Sequence, residues 1–174
     1  ASCQEAVSQL IEKGHREIAF ITGSLDSPTG VERLSGYKDA LTQHGIALRD
    51  ELIAEGKWNP ASGAAAVSEL LARGERFTAL VASNDDMAIG AIKQLHESGV
   101  ATPDAVSVIG FDDVPEAHWG AYRLTTFQQN AQVLASEIDR VLEKRFEAPA
   151  TPPITAVLDL PLMMRDTVRA VAAG

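Results

Sequence analysis

The chain has 174 residues, 45% of them hydrophobic and 22% charged, which suits one well-buried domain and excludes two large ones or wholesale disorder. Its net charge of -9 and pI near 4.8 argue against a surface that grips nucleic-acid phosphates, and its longest basic grouping is only Lys144-Arg145. Cys3 is the only cysteine, so an intrachain disulfide and cysteine-pair metal motifs are excluded. No apolar run approaches the roughly 20 residues of a membrane span, and no secretory signal pattern opens the sequence. A reducing, cytoplasmic setting is expected.

Four helix-like segments each end at a glycine and pass into a strand-like run, the pattern of alternating α/β units. Ala6, Val7, Leu10 and Ile11 form an apolar face before Gly14, and Glu17 to Ile21 follows as a strand. Val31, Leu34, Tyr37 and Leu41 precede Gly45 and the less regular run Leu52-Ile53-Ala54. The third unit runs from Ser62 through Val67, Leu70 and Leu71 to Gly74, then into Phe77 to Ala82. The fourth carries Ala88, Ile89, Ile92 and Leu95 before Gly99 and leads to Val106 to Phe111. Such continuously apolar strands predict a parallel sheet covered on both faces, a doubly wound α/β fold.

After Asp113 the rhythm changes. A loop from Val114 to Tyr122 leads to the strand Leu124 to Phe127 and then to a helix over Ala131 to Phe146. A Pro-rich linker, Ala148 to Pro153, precedes strand-like Ile154 to Leu160 and a second short run, Leu162-Met163-Met164.

Open parallel sheets bind ligands at the carboxyl ends of their strands. There the sequence places Gly23 to Ser27, then Glu55 to Asn59 with Trp58, then Ser83 to Asp86, then Asp112-Asp113. An indole beside carboxylates and a carboxamide suits a sugar, the ring covering C-H faces while Asp and Asn meet hydroxyls. The same residues are equally compatible with a structural role, Asn84 and Asp85 capping the next helix and Trp58 packing in the core. Paired carboxylates also suit magnesium-dependent phosphoryl transfer, but no Walker-type glycine loop or Asp-x-Asp pattern after the first strand accompanies them. His15, His44, His96 and His118 are too scattered for a zinc motif and read as surface or helix-end residues. No serine lies in a Gly-x-Ser-x-Gly elbow. Neither catalysis, a metal nor a cofactor is expected.

The octapeptide Gly14-His15-Arg16-Glu17-Ile18-Ala19-Phe20-Ile21 resembles a strand opening typical of the lactose-repressor/galactose-repressor (LacI/GalR) family of sugar-responsive regulators. Arg33 to Tyr37, Ser83 to Ala91, Val106 to Asp113, Leu124 to Thr126 and Leu162 to Thr167 follow in the family's order, covering nearly the whole chain. The resemblance implies the second lobe of a periplasmic-binding-protein-like effector domain over residues 1–127. Residues 128–174 would then be a crossover helix and returning strands that contact the first lobe. It also implies a small-molecule effector, a sugar or nucleoside, held by Arg33, Trp58, Asn84, Asp112 and Gln129. Arg33 and Gln129 rest on the resemblance alone. A homodimer formed through the helix Asp86 to His96 and the loop carrying His118, Trp119 and Tyr122 is implied as well. Operator DNA would be read only by an N-terminal helix-turn-helix not included in these residues. The alternative within the same fold is a sugar transporter's solute-binding protein.

Overall fold

The computed structural model describes residues 2–148 and 152–171. Among the described residues five α-helices and six strands follow in the order α1 (Ser2–Glu12), β1 (Ile18–Thr22), α2 (Pro28–Gln43), β2 (Ile53–Glu55), α3 (Pro60–Ala72), β3 (Ala79–Ala82), α4 (Asp85–Glu97), β4 (Ser107–Asp112), β5 (Thr125–Gln128), α5 (Ala131–Glu147) and β6 (Leu162–Met163). They build one sheet in the order β2-β1-β3-β4-β5-β6, parallel from β2 to β5, with β6 added antiparallel.

Because successive side chains on a strand point to opposite faces, β1, β3 and β4 feed two cores. Ile18, Phe20, Ala79, Val81, Ile109 and Phe111 meet α1 and α2 on one face. Ala19, Ile21, Leu80, Ala82 and Val108 meet α3 and α4 on the other. Every residue of β1 and β3 is buried, which is why these strands read as unbroken apolar runs. Gly14, Gly45, Gly74 and Gly99 adopt φ of +94, +66, +74 and +76°, the left-handed turns expected after the first four helices.

Three details differ from the sequence expectations. The run Ile154 to Leu160 forms no strand: it pairs with nothing among the described residues, and Val157 stays 81% exposed. The returning strand is confined to Leu162–Met163, because beyond it the tail meets β5 through side-chain hydrogen bonds instead of a backbone ladder. Thr167 accepts from the Thr125 N–H and donates to the Val108 carbonyl. His15 is buried, not a surface residue. Its ring nitrogens reach Thr78 Oγ1 (2.9 Å) and the Arg169 carbonyl (3.0 Å), so it staples the returning tail to the start of the sheet. The linker's central residues, 149–151, lie outside the described residues.

Helix α5 buries none of its residues, and Val133, Leu134, Ile138, Leu142 and Phe146 are all exposed. Helix α4 turns Met87, Ala88, Ala91, Ile92 and Leu95 inward, so its outer face is largely polar. The apolar part of the implied dimer surface is therefore Trp119, 56% exposed, with half-buried Ile89 and Tyr122.

Candidate functional site

Strand order reverses at β1, whose neighbours are β2 and β3, and crossovers leave the sheet on opposite faces there. An open cavity of about 340 Å³ lies above this point, lined by Ser27, Thr29, Arg33, Trp58, Asn84 and Asp112. Four of the five sequence-nominated residues thus meet in one cavity.

Arg33 sits in the second turn of α2, and its long side chain folds back along the helix toward the cleft. The guanidinium carbon stacks 4.7 Å from the Phe111 ring centroid and 5.7 Å from that of Trp58. One nitrogen donates to the Ser83 carbonyl, and another stands 4.0 Å from Asp112. Burial lowers the Arg33 pKa, while Asp112 and other acids oppose the shift.

Trp58 follows β2 with φ +62°, a conformation an aromatic residue rarely adopts. Its indole lies directly over Gly23, where an added Cβ would fall 1.9 Å from Cζ2. Two residues at separate strand ends thereby define one aromatic wall.

Asn84 caps α4, one of the two roles left open by the sequence, and its side chain also reaches the cavity. Its Oδ1 accepts from the Met87 N–H (3.0 Å) as the cap of α4, its Nδ2 donates to the Trp58 carbonyl (3.2 Å), and it still lines the cavity. One amide hydrogen and one lone pair remain for a ligand. Asp85 is wholly structural: buried, it accepts from the Val114 N–H (3.0 Å) and Thr126 Oγ1 (2.6 Å). Burial raises its pKa to about 6, against the pull of these hydrogen bonds.

Asp112 ends β4, and burial raises its pKa against the opposing effects of Arg33 and Gln129. Gln129 is exposed and lies outside the cavity lining, yet its side-chain amide donates to Asp112 Oδ1. Thr29 and Phe111 were missed by sequence reasoning. Pro28 at the first turn of α2 was the available signal for Thr29, since it marks a helix N-terminus aimed at the cleft. Phe111 gave none, because it reads as an ordinary core strand residue. Among the described residues no group of three His, Cys, Asp or Glu side chains could hold a metal ion. No helix there is long and apolar enough to cross a membrane.

A model of the periplasmic binding protein-like domain matches residues 7–168. The chain belongs to this family, in the form carried by LacI-family transcriptional regulators. It is 62% identical over 133 residues to the transcriptional regulator AscG of Escherichia coli K12, covering 76% of this chain and 40% of AscG. Among solved structures, a sugar-binding LacI-family regulator from Escherichia coli complexed with phosphate is 51% identical with a TM-score of 0.88, covering 97% of this chain and 60% of that one. The complex of the regulator CelR with cellobiose is 36% identical with a TM-score of 0.88, covering 95% and 51%. The chain spans about half the length of the curated relatives it matches. These LacI-family relatives are regulators, not enzymes.

Proposed function

We propose that this chain is the effector-sensing portion of a cytoplasmic, sugar-responsive LacI/GalR-type regulator, binding its ligand without turning it over. The observation that carries this reading is the cavity at the reversal of strand order. There a guanidinium stacked on two rings faces a carboxylate and a partly free carboxamide. A forked donor, acceptors and an aromatic wall are what a polyol requires: hydroxyls bond Arg33, Asn84 and Asp112 while C-H groups cover Trp58. Gln129 orients Asp112 from the rim. CelR's complex with cellobiose supports a saccharide over a nucleoside.

Residues 1–127 form one lobe in this proposal, and residues 128–174 cross from it. The apolar face of α5, bare here, would then lie against a first lobe. Two copies pair through the surface around Trp119, and operator DNA is contacted outside these 174 residues. The test is titration of the chain with cellobiose, glucose, galactose, ribose and adenosine, following the amide signals of Asn84 and Asp112. Shifts that saturate with a sugar and vanish in Arg33→Ala are expected. No shift with any of them, or shifts unchanged in Arg33→Ala, would overturn the reading.

A further inference from the structure

Asp113 and the Leu162 to Thr167 motif touch no part of the cavity, yet they converge just behind it. The Asp113 carboxylate, 2% exposed, accepts from the Arg165 guanidinium (2.5 Å) and Gln128 Nε2 (2.7 Å), and lies 3.1 Å from His118 Nε2. Arg165, 10% exposed, donates also to the Leu124 carbonyl (2.7 Å), and its backbone N–H donates to Thr125 Oγ1 (2.9 Å). The end of β4, the end of β5 and the returning tail are thus tied at one carboxylate.

What they tie down is an unusual turn. Asp112 has φ +123° and Asp113 φ +59°, two successive residues in the region that favours glycine. Left unrestrained, that backbone would relax and carry the Asp112 carboxylate away from Arg33 and Gln129. Desolvation offsets much of the attraction within a buried ion pair, so net stability alone does not account for Asp113 and Arg165.

We propose that Asp113 and Arg165 are positioning residues for effector recognition, holding the Asp112 carboxylate in the cleft from behind. This rests on reading the cleft as an effector site. In it, the Arg165 of the tail motif serves the ligand without touching it.

The Gln129 side-chain amide, bonded to Asp112, gives a readout that needs no ligand. In nitrogen-correlated NMR spectra of the whole chain, Arg165→Met is expected to move that signal toward its position in Asp112→Ala. Arg165→Lys, which keeps the charge but not the fork, is expected to restore it in part. Cellobiose, as the probe, should bind Arg165→Met about tenfold more weakly than wild type, the scale of one charge-assisted hydrogen bond. A Gln129 signal that stays in place in Arg165→Met while thermal stability falls overturns the proposal, since a merely structural pair would behave that way. If Arg165→Met does not fold, Gln128→Leu removes a single donor from Asp113 and is expected to move the same signal; no movement overturns the proposal. Failure of cellobiose and the other sugars to shift any wild-type signal refutes the effector reading, whereas the Gln129 signal still decides whether Arg165 holds Asp112.

Discussion

At the scale of single residues, the cleft depends on side chains that perform two tasks and on one that is missing. Gly23 is the missing one. Its lack of a Cβ lets the Trp58 indole lie flat where a methyl group would sit 1.9 Å from Cζ2. Gly23→Ala should push the ring off its seat against Arg33, changing tryptophan fluorescence and costing about 1–3 kcal/mol, the usual penalty of overpacking. Thermal melts with fluorescence spectra of a Trp119→Phe background would show it; an unshifted Trp58 signal would remove the idea. Asp85 offers a second test. Its pKa is raised from 3.8 to about 6 by burial, so between those values the folded state holds the proton more tightly than the unfolded chain. Its contribution to stability is therefore fullest below about 3.8 and is lost as pH rises through about 6. Asp85→Asn carries no such proton, so melting temperatures should decline less from pH 4 to 7 in that variant than in wild type. Equal declines would show that Asp85 does not titrate in this window.

At the scale of elements, α3 and α4 cross so closely that their contact faces hold glycine. An added Cβ at Gly90 would lie 1.9 Å from the Pro60 carbonyl oxygen, and one at Gly63 2.1 Å from that of Met87. Alanine in place of a mid-helix glycine ordinarily gains up to about 1 kcal/mol. Here the backbone clash reverses the sign: Gly90→Ala should destabilise by about 2 kcal/mol or more, measurable by urea unfolding. An equal or higher midpoint would show that the two helices can move apart freely. The same elements show what was legible in advance. Strands buried on both faces, such as β1 and β3, are unbroken apolar runs, and glycine marks the end of each of the first four helices. Trp58, Asn84 and Asp112 could be nominated because they follow strands directly. Arg33 could be nominated only through the family resemblance, because its arrival depends on which way α2 points and on rings from two other elements. Ile154 to Leu160 misled for a related reason: it has strand composition, but a strand exists only where an edge receives it.

At the scale of the whole molecule, the distribution of polar groups decides how strongly the chain alone can hold a ligand. The cavity is open, and Trp58, Asn84 and Asp112 line it from the ends of the strands and Arg33 from α2. Binding sites of high affinity enclose most of the ligand's surface, so that hydrogen bonds to it do not compete with water. In an open cavity each such bond is worth only about 0.5–1.5 kcal/mol, and stacking on Trp58 adds a comparable amount. Bonds to Arg33, Asn84 and Asp112 and the stacking together supply only about 4 kcal/mol. The expected Kd of the isolated chain for a sugar is therefore in the millimolar range, about -4 kcal/mol. Trp58 fluorescence in the Trp119→Phe variant, titrated with cellobiose, would measure it. Affinity a thousandfold tighter would mean that residues from elsewhere, such as a second copy or the exposed face of α5, close over the ligand. Sedimentation at the same concentrations would distinguish these two, since only the former makes affinity rise with protein concentration.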